Sequence, residues 1–211
     1  MTAQMFTLSY FTGGIAQTNG WLARRQERAV AVDAPEGMAD WLAGQNVRLD
    51  ALVLTHQHFD HVLDAAKIAA AHACPVYAFA PFSTELTMER LFGAFSGMSL
   101  AVTPFTVTTL VDESSRPDLL GESWRVLHVP GHSPDSVCLY LPGQNWLFGG
   151  DVLFMDGIGR TDFPGGSTRT LLQGIQEKVL ALPDATEVFP GHGPATTVGR
   201  ERLENPFLQD L

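Results

Sequence analysis

Short apolar runs alternate with segments of helical period along this chain, and they predict strands and helices in turn. Residues 29–33 read as a strand, and residues 36–43 as a helix with Met38, Trp41 and Leu42 at helical spacing. The run Ala51, Leu52, Val53, Leu54 predicts a strand over 51–55. An alanine-rich helix over 62–73 and a strand over 75–79 follow. Such alternation is the pattern of stacked α/β units. A second half repeats the theme, with strands at 124–129, 137–141 and 146–148, the last two separated by the turn Pro142, Gly143, Gln144, Asn145. Residues 168–182 read as a helix with Leu171, Leu172, Ile175 and Val179 on one side, and 187–189 as the last strand. Between the halves, 81–123 is mixed: a helix around 83–95, then a polar, turn-rich stretch at 112–121. A connection of this kind is where a pocket-covering element is expected. No internal repeat or low-complexity run interrupts the pattern.

Composition narrows the picture. With 211 residues, 45% of them hydrophobic, the chain is expected to form one domain with one well-buried core. Its formal charge of −10 disfavours a nucleic-acid partner. Residues 1–10 carry neither a basic n-region nor a long apolar stretch, and no run approaches the roughly 18 apolar residues of a membrane span. Two cysteines, Cys74 and Cys138, lie in apolar surroundings and read as free buried thiols, which fits a reducing cytoplasm.

Candidate chemistry concentrates where strands end. Directly after the 51–54 run comes Thr55, His56, Gln57, His58, Phe59, Asp60, His61, with three imidazoles and a carboxylate within six residues. Neutral imidazole and carboxylate are the usual ligands of zinc and related first-row metals. A polar turn carrying one histidine by chance is commonplace; this density is not. His132 follows the 124–129 strand in Pro–Gly–His–Ser, Asp151 follows 146–148 in Gly–Gly–Asp, and His192 follows 187–189 in Pro–Gly–His–Gly. Open α/β sheets place their ligand sites at such strand ends. Asp33, also at a strand end, is the candidate carboxylate that orients a ligand histidine through its other ring nitrogen. His72, on a predicted helix, and His128, alternating within a strand, read as packing or surface residues.

These motifs together resemble the metallo-β-lactamase superfamily, in its glyoxalase II branch. The resemblance extends over essentially the whole chain. It implies a four-layer αββα sandwich of two mixed β-sheets flanked by helices, with a binuclear site at one edge. By position, His56, His58 and His132 would hold one metal, and Asp60, His61 and His192 the second. Asp151 would bridge the two, making Asp60 and Asp151 the carboxylates of the catalytic centre. The two divalent cations are expected to be zinc, with iron or manganese as alternatives. Two cations sharing Asp151 would share a water and lower its pKa to about 7, and the hydroxide would attack a thioester carbonyl.

The segment 190–208, ending in Asn205, Pro206, Phe207, Leu208, resembles short bacterial hydroxyacylglutathione hydrolase-like enzymes that lack a helical C-terminal domain. The implied substrate is a small 2-hydroxyacylglutathione thioester. Those enzymes carry a lysine and a tyrosine where Arg160 and Asp162 stand. Arg160 is the candidate contact to a glutathione carboxylate, and a structural pair with Asp162 is the other reading. The Gly159–Arg–Thr–Asp–Phe163 segment also resembles persulfide dioxygenases, which use one iron. Their usual Pro–Ala–His–Asp differs from Pro–Gly–His–Gly here, which favours the hydrolase. Asp135 is a further departure, where related hydrolases carry glycine. Lactonase, β-lactamase and tRNA-nuclease activities fit less well, and an inactive metal-stabilised scaffold is the non-enzymatic alternative.

Overall fold

The computed structural model describes residues 5–97 and 99–209. Residues 1–4 of the N-terminal stretch read above, Met98 in the connection, and residues 210–211 lie outside the described residues. The chain divides into two compact units, the first ending at Leu110 and the second starting at Val111, inside the connection expected from the sequence.

In the first unit, β1 (Phe6–Gly13), β2 (Thr18–Arg25) and β3 (Arg28–Val32) form an antiparallel meander. β4 (Arg48–Val53), β5 (Val76–Ala78) and β6 (Thr109–Leu110) then add in parallel, giving a six-stranded mixed sheet in chain order. Parallel neighbours require crossovers. Here α1 (Met38–Ala43) joins β3 to β4, α2 (Phe59–Val62) and α3 (Ala65–His72) join β4 to β5, and α4 (Thr84–Thr87) and α5 (Glu89–Ser96) precede β6. Residues 29–32 and 51–53 are buried without alternation, as strands covered on both faces require. Leu22, Leu52, Met38, Leu42, Ile68 and Val76 belong to the unit's core.

Three details differ from the sequence pattern. The β1–β2 hairpin is new; β2 hides because Thr18 and Asn19 are buried although polar. The helix expected over 62–73 starts only at Ala65, after Asp64 has turned away to accept the Gly37 and Ala39 N–H groups at the start of α1 (2.8 and 3.0 Å). The helix around 83–95 is two helices, broken where Met88 takes φ 58°.

The second unit opens with a small hairpin, β7 (Asp118–Leu119) and β8 (Glu122–Ser123). β9 (Arg125–His128), β10 (Val137–Leu141) and β11 (Trp146–Gly150) follow as an antiparallel meander. A second hairpin, β12 (Leu153–Phe154) and β13 (Gly157–Ile158), precedes α6 (Thr168–Gly174), which continues through Val179 as a wider π turn. β14 (Glu187–Pro190) then pairs in parallel with β11, and β15 (Thr196–Thr197) leads into α7 (Val198–Glu204). The five-stranded sheet runs β15-β14-β11-β10-β9 and is again mixed. Leu127, Leu147, Leu171, Ile175, Val179 and Val188 belong to its core. Trp124 stacks on Phe148 with ring centroids 5.5 Å apart.

Both cysteines are free and buried. Burial raises the Cys74 thiol and pushes Cys138 up to about 12, which disfavours the thiolate form of both. No described helix is long and apolar enough to cross a membrane.

Candidate functional site

The histidine cluster of the first unit leaves β4 and closes into α2. His56 and His58 lie on the segment between them, with Asp60 and His61 on the helical turn itself. His56, His58 and His61 are all buried. The rings of His56 and His58 are 4.6 Å apart, and those of His56 and His61 4.1 Å. Donor atoms of His56 and His58, of His56 and His61, and of Asp60 and His61 come within 4.8 Å of each other.

Asp33 organises this cluster. Its backbone sits at φ 62°, a left-handed conformation that aspartate tolerates better than most residues. Its N–H is bonded to the Val53 carbonyl at 2.9 Å. That posture turns a fully buried carboxylate toward the next strand end, where it accepts the Thr55 N–H (2.8 Å), the Thr55 hydroxyl (2.8 and 3.0 Å) and His61 Nδ1 (2.8 Å). A carboxylate only accepts, so Nδ1 of His61 carries the proton and Nε2 the lone pair. The Thr55 hydroxyl spends its hydrogen on Asp33, so at 3.1 Å it accepts from His56 Nδ1. One carboxylate therefore sets the tautomer of two histidines, the second through Thr55.

Gln57, between two of the histidines, faces elsewhere. Its amide nitrogen donates to the Ala80 and Pro81 carbonyls, each at 3.0 Å, and its oxygen accepts the Ser83 N–H at 3.2 Å, holding the start of the connection. Thr18, at the start of β2, donates to Asp60 at 2.7 Å. The sequence pattern gave no hint of this partner, because β2 itself was not visible in it.

In the second unit, His132 follows β9, Asp151 follows β11 and His192 follows β14. Gly191 N–H bonds the Gly150 carbonyl at 2.9 Å, tying two of these loops together. Nε2 of His192 lies 3.3 Å from Asp151 Oδ2, and Nε2 of His132 lies 3.5 Å from the same oxygen. His132 Nδ1 donates to the Arg160 carbonyl at 2.8 Å, which again leaves the lone pair on Nε2. Gly131 permits the turn: its φ is 131°, and a Cβ there would stand 2.5 Å from Leu171 N. Asp135 is buried and accepts the Ser133 hydroxyl inside the same loop.

The donor set fits a divalent cation. His132 and His61 each present a lone pair to a carboxylate oxygen at 3.5 Å, the latter to Asp60. Two acceptors facing one another at that distance need a proton or a cation between them.

Arg160 is placed differently from the other candidates. Its guanidinium makes a bidentate pair with Asp162 (both bonds 2.7 Å) over the Phe163 ring, 4.0 Å from its centroid. This contact holds the Asp162 carboxyl down to about 2. Both side chains are more than half exposed. What Arg160 gives His132 is its main-chain carbonyl. His128 bonds the Pro134 carbonyl at 2.9 Å, and His72 is the last residue of α3.

Known proteins match the chain along most of its length. Residues 17–192 match the metallo-beta-lactamase superfamily. Hydroxyacylglutathione hydrolase GloC of Haemophilus influenzae is 32% identical over 207 residues, covering 91% of this chain and 93% of its own. Among solved structures, the BLEG-1 B3 metallo-beta-lactamase superposes with a TM-score of 0.86 at 32% identity, covering 96% of this chain and 100% of the other. TTHA1623 in a di-iron-bound form superposes with a TM-score of 0.82 at 36% identity, covering 95% and 100%. The chain therefore belongs to the metallo-beta-lactamase superfamily of metallo-hydrolases and has that superfamily's fold of mixed sheets and helices.

Proposed function

We propose that this protein hydrolyses a small 2-hydroxyacylglutathione thioester, such as the lactoyl thioester, with two divalent cations. His56, His58 and His132 would hold one cation, Asp60, His61 and His192 the other, and Asp151 would bridge them. The supporting observation is the pairing of Nε2 lone pairs with carboxylate oxygens in both units, with Nδ1 of His56, His61 and His132 bonded elsewhere. Bound there, the cations would acidify a water and polarise the thioester carbonyl. Zinc suits the donors. Iron suits them too, and the similar TTHA1623 is described as di-iron-bound.

The chain's own residues have narrower tasks. Asp33 and Thr55 would hold the Nδ1 protons of His61 and His56, so that in each neutral ring Nε2 carries the lone pair and is aimed at a cation. Thr18 donates to Asp60, which makes that carboxylate a poor base and suits it to be a ligand. The leaving thiol has a pKa of about 8.5, so no strong general acid is needed. A substrate carboxylate would compete with Asp162 for the exposed guanidinium of Arg160. The thioester assignment draws on the likeness to GloC across nearly both chains.

The segment holding the Arg160–Asp162 pair favours one other reading, an iron persulfide dioxygenase. The protein as purified, assayed for metal per chain, lactoylglutathione hydrolysis and persulfide-dependent oxygen uptake, separates the two. Two metals and chelator-sensitive hydrolysis are expected. One iron with oxygen uptake and no hydrolysis would reverse the assignment.

A further inference from the structure

The C-terminal tail contains a buried polar knot that the proposed chemistry does not use. Glu201 is fully buried on α7, and burial alone would raise its carboxyl. Bonds from Thr196, Arg200, Asn205 and the Asp156 N–H hold it down instead. Asn205, also fully buried, donates from one amide nitrogen to the Phe154 carbonyl (3.3 Å), the Gly157 carbonyl (3.0 Å) and Glu201 (2.9 Å). Two side chains of the tail thus grip three main-chain groups of the four-residue β12–β13 turn. Arg200 adds an ion pair to Asp156 at 2.8 Å.

That hairpin joins the pieces of the second unit's ligand set. It begins two residues after Asp151. It ends two residues before Arg160, whose carbonyl receives His132 Nδ1. Gly159 passes so close to Asp151 that a Cβ there would stand 2.0 Å from the Asp151 carbonyl oxygen and 3.1 Å from His132 Cβ. Phe154 packs edge-on against His192, centroids 6.2 Å apart. Displacing the turn would therefore disturb all three side chains together.

We infer that Asn205 and Glu201 are positioning residues for Asp151, His132 and His192, acting through the β12–β13 hairpin. This inference rests on the metal reading above. Groups that fix ligand orientation typically govern about 10- to 100-fold in metal affinity. Leu208 is the contrast: a buried tail residue in the apolar cluster that also holds Leu153 and Ile158 of the hairpin, with a side chain that can pack but cannot hydrogen-bond.

The test is Co(II) binding by chelator competition, with the visible spectrum of the Co(II)-loaded protein and the melting temperature. The wild type, N205A, the milder N205S and L208A are compared. N205A is expected to lose about 10- to 100-fold in affinity and to shift the Co(II) bands, with N205S intermediate. L208A is expected to melt lower while keeping wild-type affinity and bands. Wild-type Co(II) binding by both Asn205 variants would overturn the inference, as would an equal affinity loss in L208A. A wild-type protein that takes up no Co(II) would instead overturn the metal reading itself, so the two failures are distinct.

Discussion

The two candidate ligand sets are built on opposite principles. In the first unit the four side chains lie within six consecutive residues, and other side chains orient three of them: Asp33 holds His61, Thr55 holds His56 and Thr18 holds Asp60. In the second unit three side chains come from three separate loops, and the main chain holds the set: the Arg160 carbonyl accepts from His132, and Gly191 N–H ties the His192 loop to the Asp151 loop through Gly150. Side-chain anchoring concentrates the dependence in one or two residues. Main-chain anchoring spreads it over a hairpin and the tail that clamps it. The first set should therefore fail sharply at single orienting residues, and the second at its ligands and its backbone geometry.

The largest effect is expected at Asp151, which both His132 and His192 face. D151A should lower thioester turnover by more than the ~100-fold that losing an orienting partner costs, and reduce bound metal below two per chain. Metal analysis alongside steady-state kinetics checks this; full turnover with two metals would remove Asp151 from the centre. Next comes D33A, which takes the acceptor from Thr55 and His61 at once. It should weaken metal binding by about 10- to 100-fold, while T55V, touching only His56 and part of Asp33, should cost less. Equal losses from both would show that the carboxylate does not act as a shared anchor.

This contrast also explains how much the sequence revealed. The strands that carry ligands read clearly, because residues 51–54 and 146–148 are unbroken apolar runs and the polar ligands begin where they stop. The candidate donors are legible for that reason, and the metallo-β-lactamase fold through the family resemblance that their motifs carry. Asp33 was legible as a carboxylate at a strand end. Thr55 gives no sign of being an orienting group, since a threonine at the end of an apolar run looks like ordinary strand composition. Thr18 was hidden because a buried, polar β2 breaks the apolar pattern. The Arg160 carbonyl could not be found at all: a main-chain acceptor leaves no trace in residue identity, and attention falls on the guanidinium instead. The role of Asn205 is similarly silent, because its partners are carbonyls of residues 48 and 51 positions away.

A backbone-built site should be sensitive where the chain passes closest to itself. In G159A the new methyl would need the Asp151 carbonyl, 2.0 Å from the ideal Cβ, to give way. Overpacking against backbone typically costs about 1–3 kcal/mol, and here the strain falls on a candidate ligand. Urea unfolding should show that loss, and metal affinity should fall with it. G44A is the control, because its Cβ would meet its nearest neighbour at an ordinary 3.5 Å.

The smallest structural effect is expected at Arg160, and it is the most discriminating. The bond to His132 comes from the carbonyl, which R160A retains, so metal content should stay at the wild-type value. The guanidinium pairs with Asp162 where both are exposed, and such pairs add little to stability. If the guanidinium also receives a glutathione carboxylate, R160A should raise KM for lactoylglutathione by about tenfold with kcat nearly unchanged, the signature of lost uniform binding. R160K should recover only part of it, since an ammonium cannot reproduce the planar two-point contact. An unchanged KM would assign the side chain to Asp162 and Phe163 alone, leaving its carbonyl as the whole of Arg160's contribution to the site.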